Sequence, residues 1–249
     1  MKWAFLILAA FALMGQRDAL LVPEVSQHDV QVRQGFTGTE LLLFGAVLDP
    51  RGRAGQGYDI VVVLKGPSEP MRLREKERFA GVWINAESTD LRSVPSFFAV
   101  ASSRPIEEIV DEKTAAIYEF GTGYIQLSPS GNIDPEEQLR FRDGLVDLKR
   151  RQGLYKEDMD GVRITESVLY QARISLPSNV TTGTYTAETF AVTEGRVIAS
   201  AESLVEVRKV GLEREVEYFS QNYGLLYGAL AVTLSVLMGW GAGRLFARL

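Results

Sequence analysis

The chain has 249 residues, enough for one domain of ordinary size or two small ones. Its formal charge of −5, from 27 Lys and Arg against 32 Asp and Glu, argues against nucleic acid as a partner, because that binding needs clustered cations. There is no cysteine, which removes disulfides, thiolate metal sites and thiol nucleophiles together.

The chain opens with one cation, Lys2, and an apolar run from Trp3 to Met14. That run is too short to cross a bilayer as a helix and has the length of a signal-peptide core, so residues 1–19 read as an export signal. Arg17 fits the small-x-small cleavage pattern poorly, which leaves the cleavage site open. Next comes "GFTGTELLLFGAVL", Gly35 to Leu48. A phosphate-holding Gly-rich loop needs a helix after it, whereas Thr39 to Leu48 is β-branched and apolar. It is expected as a mostly buried core strand, launched by a turn at Gly35–Gly38 and closed at Asp49-Pro50.

Further strand-like runs are Val30–Val32, Tyr58–Leu64, Phe79–Asn85 and Ser96–Ala101. Two helical patterns interrupt them, an insertion at about 104–153. In the first, Pro105 suits an opening helical position and Ile106, Ile109, Val110 and Ile117 form a stripe. In the second, Asp134 is an N-cap, Pro135 sits at N1, Glu137 completes a capping box, Gly153 is a stop, and Phe141, Leu145 and Leu148 mark the buried side. The first is acidic (Glu107, Glu108, Asp111, Glu112) and the second basic (Arg140, Arg142, Lys149, Arg150, Arg151), which reads as solvated faces with weak surface pairing.

Strands resume at Leu169–Leu176, Gly183–Val192 and Arg196–Val207. Tyr185, two residues before Ala187, resembles the tyrosine corner of immunoglobulin-like sandwiches. The fold expected is therefore mainly β, an immunoglobulin-like β-sandwich over residues 20–209 with an inserted helical pair, plus one C-terminal transmembrane helix. Two consecutive small domains are the alternative.

Leu212, Val216, Phe219 and Tyr223 repeat at helical spacing, so residues 210–222 read as an amphipathic stalk. Residues 223–243 are free of charge and long enough to span a bilayer as a transmembrane helix. Glu213, Glu215 and Glu217 precede it, and Arg244 and Arg248 follow in a tail over 244–249. Cations stay on the cytoplasmic side, so the tail is expected inside and the bulk of the chain outside. Gly224, Gly228, Ala231, Ser235, Gly239 and Ala242 recur at intervals of four, three, four, four and three, and Gly243 extends the Gly-x-x-x-Gly spacing from Gly239. A stripe of small residues lets another helix approach closely, so these seven positions are the expected helix-packing interface. Its partner would be another transmembrane helix, in a homodimer or a transporter subunit, within membrane lipid.

The segments "GFTGTELLLFGAV", "GVWINAES" with "SVPSFFAVASSRP", "GTYTAETFAV" and "VRKVGLER" leading into "LLYGALAV" resemble, in that order, an uncharacterised family of transmembrane proteins found in alphaproteobacteria. The resemblance implies a Gram-negative inner membrane and a periplasmic domain, with sulfite-exporter-like permeases encoded nearby, and it supplies no catalytic residues. The segment Leu169–Ala172 departs from the more basic version expected there.

Chemistry is sparse. The one histidine, His28, stands beside Asp29, too few ligands for a zinc site. "EDMDG", Glu157–Gly161, lacks the spacing of a calcium loop and reads as a turn. Asn179 heads a glycosylation sequon that bacterial export would leave unmodified. Glu107 and Glu108 are adjacent on a helix and point apart, unlike a glycosidase pair. No cofactor, metal or catalytic residue is expected. The expected role is a non-enzymatic interaction or accessory subunit, and the alternative is a periplasmic enzyme acting on envelope sugar or sulfur compounds.

Overall fold

A computed structural model describes residues 19–32, 35–48, 57–131, 133–166, 168–209 and 212–246; the expected export signal, the Asp49-Pro50 turn and the end of the tail lie outside the described residues. Two units emerge, one of Thr37–Val207 with the residues up to Val30, the other of Gln31–Phe36 with Arg208–Leu249.

In chain order the strands are β1 (Leu20–Val25), β2 (Asp29–Val32), β3 (Thr39–Leu48), β4 (Asp59–Lys65), β5 (Ser68–Phe79) and β6 (Val82–Pro95). Then follow β7 (Phe98–Ser102), β8 (Tyr155–Asp158), β9 (Val162–Thr165), β10 (Leu169–Leu176), β11 (Gly183–Thr193) and β12 (Arg196–Lys209). They form a four-stranded sheet, β1-β3-β10-β9, a six-stranded sheet, β2-β12-β11-β4-β7-β8, and a separate two-stranded arm, β5-β6. All pairs described are antiparallel except β7 with β8.

The two large sheets pack on each other, β10 against β7, β1 against β11 and β4 against β9. Alternation decides what each strand contributes. Leu41, Leu43 and Val47 of β3 are buried, as are Tyr170, Ala172, Ile174 and Leu176 of β10. The intervening Phe44 and Leu48 are exposed, so β3 is half-buried, not the mostly buried strand its apolar composition predicts. Gly45 is needed where it stands: a Cβ there would meet the Tyr170 hydroxyl at 2.7 Å and the Val22 carbonyl. In β4, by contrast, Ile60–Leu64 are buried on both faces.

Beside β4, the insertion packs on β11 and pairs Glu119 with Lys65 at the end of β4. Its first predicted helix is two short ones, α1 (Ile106–Ile109) and α2 (Glu112–Tyr118). Val110 is extended between them, and Asp111 caps α2 by accepting from the Thr114 amide at 3.0 Å. Behind α2, Phe120 and Tyr118 stack at 5.5 Å, and both meet Phe190 of β11 edge-on. The second helix, α3 (Pro135–Arg151), forms, with Asp134 accepting from the Glu136 amide and Phe141 and Leu145 buried, but Leu148, expected on the buried side, is exposed and Lys149 takes its place.

The run Phe79–Asn85, expected as one strand, straddles a hairpin turn at Ala80-Gly81, where both residues take positive φ (49° and 87°). The arm it closes prolongs the β4–β7 pair: the Gly66 amide donates to Phe97 O at 2.8 Å and the Ser96 amide to Pro67 O at 2.9 Å. Gly66 permits that junction, since a Cβ there would lie 2.7 Å from Ser96 Oγ. One face of the arm is braced by α3, where Arg140 pairs with Glu75 at 3.1 Å and with Glu87.

In the second unit, α4 (Leu212–Asn222) leads to α5 (Gly224–Phe246). Tyr223 joins them with helical hydrogen bonds on both sides, its amide to Phe219 O and its carbonyl from the Tyr227 amide, each at 2.9 Å.

Candidate functional site

Helix α5 gathers all seven positions predicted as a packing interface. It is apolar on every face, and Gly224–Arg244 is the one helix among the described residues long and apolar enough to cross a membrane, with a mean hydropathy of 1.7. At about 1.5 Å per residue its 21 residues span about 30 Å. Because the helix is unbroken, Gly224, Gly228, Ala231, Ser235, Gly239 and Ala242 keep to an arc of about 80°, with Gly243 at its edge. Ser235 does not break the apolar character of that arc, since its hydroxyl donates to Ala231 O at 2.8 Å. Thr233 does the same to Ala229 O at 2.7 Å. At the C-terminal end the Arg244 guanidinium lies 5.7 Å from the Trp240 ring centroid, a cation over an interfacial aromatic.

The glycines of this helix serve no packing need of their own chain: a Cβ at Gly224, Gly228, Gly239 or Gly243 would meet nothing within 4 Å. Each costs helix stability of about 1 kcal/mol relative to Ala.

A second apolar surface lies on the first unit. Leu20, Val22, Phe44, Leu48 and Leu169 project from the outer face of the four-stranded sheet, where the register sets Leu20 beside Leu48 and Val22 beside Ala46. A groove of about 600 Å³ runs over part of this face, lined by Val22, Phe44 and Leu169 among others. A strand read as core conceals this face in the sequence, because its apolar residues point both ways.

The polar candidates have structural partners. Glu157 accepts from the Thr122 amide and from the Thr122 hydroxyl at 2.7 Å, and pairs with Arg150 at 2.8 Å. The cavity beside it, which Glu107 and Asp158 also line, holds about 80 Å³, too little for a sugar. His28 pairs with Glu24 at 3.1 Å on the surface. Of Glu157–Gly161, expected as a turn, the first two residues end β8 and the turn follows at Met159-Asp160, with the Gly161 amide donating to Asp158 O. Among the described residues no cluster of three metal-ligating side chains occurs. The cations of α3 are for the most part solvated and in surface pairs, Arg140 with the arm, Arg150 with β8 and Arg151 with Asp147, but Lys149, expected on the same solvated face, is buried.

Tyr185 is fully buried, and its hydroxyl donates to Thr181 O at 2.8 Å, the local geometry its spacing predicts. Burial pushes it up to about 12, the Glu69 carboxylate adding to the rise and the Ser96 hydroxyl opposing it.

A mainly β unit followed by one apolar, membrane-length helix defines a membrane-associated protein with one candidate span among the described residues. The chain belongs to the family described as "Putative transmembrane protein (Alph_Pro_TM)", which it matches over residues 20–248. No curated protein matches it.

Proposed function

We propose that the protein is a single-pass inner-membrane accessory subunit, its β unit periplasmic and its C-terminus cytoplasmic, that acts by binding rather than by catalysis. The observation that carries this reading is the arc of small residues on α5, which its own chain leaves uncovered. In lipid such a groove gains from close packing with a second helix, either another copy or a transporter subunit. Orientation follows from Arg244 and Arg248 after the span.

The β unit is an immunoglobulin-like sandwich on this reading. Its strand orders, β1-β3-β10-β9 and β12-β11-β4-β7, match the A-B-E-D and G-F-C-C′ orders of that fold, with Tyr185 on the strand equivalent to F. The parallel pairing of β7 with β8 is a departure that the long helical insertion between them accounts for. Such a scaffold binds through its surface, and the groove over Phe44 and Leu169 offers an apolar one.

The test is association in the membrane. Gly228→Leu and Gly239→Leu are expected to lower co-purification of the partner or of a tagged second copy at least about tenfold, with the β unit still folded. Undiminished association would refute the proposal. Envelope-sugar or sulfur hydrolysis, the competing reading, would require activity from carboxylates such as Glu157 that here hold structure.

A further inference from the structure

The arm ends in the most apolar exposed tip of the first unit. Phe79, Val82 and Trp83 are 71%, 64% and 66% exposed, and Ile84 joins them. Nothing in the unit's own core uses these side chains, and a β-hairpin tip does not expose three such residues to water without a cost.

The direction of the arm says what covers them. Strands β4 and β12 are both antiparallel to β11 and therefore run the same way. The base of the arm, Pro67, lies against Gly183, where a Cβ would come within 2.9 Å of the proline ring, and Gly183 is paired with Val207. The arm thus leaves the sheet at the end where β12 hands the chain on toward the membrane helix. Its twelve residues from Ser68 to Phe79 reach about 40 Å. The chain from Arg208 to the start of α5 can stretch to about 30 Å, counting α4 as helix and the rest as extended. The arm's length thus exceeds the greatest stretch of the chain that links β12 to α5.

Its charges are sorted to match. On β5 the odd positions Glu69, Met71, Leu73 and Glu75 are partly covered, and Arg140 holds Glu75 and Glu87. The even positions Arg72, Arg74, Lys76 and Arg78 are exposed on the opposite face, Arg72 paired with Asp90, and Trp83 stands across from Arg78. Cations behind a Trp-bearing apolar tip are the arrangement that the phosphate and acyl layers of a membrane surface receive.

We propose that the tip Phe79–Ile84 inserts into the interface of the bilayer that anchors the chain, with Arg74, Lys76 and Arg78 on lipid phosphates, giving the β unit a second membrane contact. The absence of cysteine makes the test direct. The full chain carrying Val82→Cys, labelled with a polarity-sensitive fluorophore, is reconstituted in bilayers of zwitterionic lipid with phosphatidylglycerol. A chain with Ser88→Cys on the shaft serves as the reference. Iodide quenching at position 82 is expected to be about fivefold weaker than at position 88, with headgroup-proximal nitroxide lipids quenching 82 alone. Charge reversal through Arg74→Glu, Lys76→Glu and Arg78→Glu is expected to restore iodide access at 82 without changing the β-sheet circular dichroism. Equal iodide access at both positions overturns the proposal. So does protection of position 82 in native membranes but not in pure lipid, which would assign the tip to a protein partner. These readouts are independent of helix association, so this inference and the proposed function fail separately.

Discussion

Tyr185→Phe isolates one hydroxyl whose surroundings fix both the size and the pH dependence of its effect. The ring is fully buried and stays so in the variant, so packing is unchanged and what is lost is the hydrogen bond to Thr181 O at 2.8 Å, together with the contact to the Ser96 hydroxyl. A buried bond of this kind contributes about 1–2 kcal/mol once the unsatisfied carbonyl is counted. For a unit of this size that lowers the melting temperature by about 3–6 °C. The alkaline response has the opposite sign. The folded-state value near 12 lies above the ordinary 10.0, so the unfolded chain ionises first and stability is lost as pH rises from the lower value through the higher. That interval is worth on the order of 3 kcal/mol in the parent, and the variant has no proton there to lose. The parent is therefore more stable at neutral pH, and its advantage shrinks or reverses toward pH 12. Urea unfolding of both chains in detergent, followed by β-sheet circular dichroism at neutral pH and across the alkaline range, measures this. Parallel loss of stability in the two chains above pH 10 would refute the assignment of the buried phenol, and an unchanged neutral midpoint would refute the hydrogen bond.

Three other expectations rest on separate contacts. Burial pushes the Asp59 carboxyl up, but hydrogen bonds from Arg104 at 2.6 and 2.9 Å and from Ser103 at 2.9 Å outweigh it and hold the group below its ordinary 3.8. A depressed carboxyl stabilises above its unfolded value and loses that as pH falls through the folded one, so Asp59→Asn should flatten the acid limb of a urea-midpoint profile below about pH 4. Gly45→Ala forces a methyl against the Val22 carbonyl and within 2.7 Å of the Tyr170 hydroxyl, and is expected to cost about 2–3 kcal/mol in urea unfolding. Tyr170→Phe does not rescue it, because the carbonyl remains. Arg140→Ala removes two exposed ion pairs, so global stability should move by less than about 1 kcal/mol, while amide exchange between Arg74 and Ser88 speeds up severalfold and the two large sheets stay protected.

The parts of this fold that were legible in the sequence are those whose residues answer to one environment. Leu169–Leu176 alternates cleanly because one face is core and the other is not, and Asp134-Pro135 marks the start of α3 by local chemistry alone. The apolar helix α5 was legible for the same reason, since one rule of composition runs along the whole segment. The arm was not. In "SEPMRLREKERF" both faces are at least partly wet, so no apolar period appears, and the apolar run Phe79–Ile84 looks like a strand although its interior glycine marks a turn. The break between α1 and α2 is set by tertiary packing: Ile106, Ile109 and Val110 are all buried, which the chain achieves by extending Val110 and restarting at Asp111. The outer face of β3 could not be read at all without knowing which sheet covers which side.

These gaps have a common physical origin, and it bears on what the molecule does. Apolar residues on β4 and β7 are placed by the chain's own core, so composition and structure agree there. On the arm tip, the outer face of β1-β3-β10 and the small-residue arc of α5, apolar residues remain without a covering layer among the described residues. The three surfaces differ in shape. A helical groove of small side chains suits another helix, a four-residue tip on a two-stranded arm suits a deformable medium, and a broad sheet face suits a flat protein surface. A long two-stranded hairpin is marginal in water by itself. Here the β4–β7 pair and Arg140 support its base and shaft, and the proposed lipid contact would add support to the stretch from Lys76 to Asn85. Placing the largest exposed apolar side chains of the unit on that stretch makes sense where the surroundings are lipid.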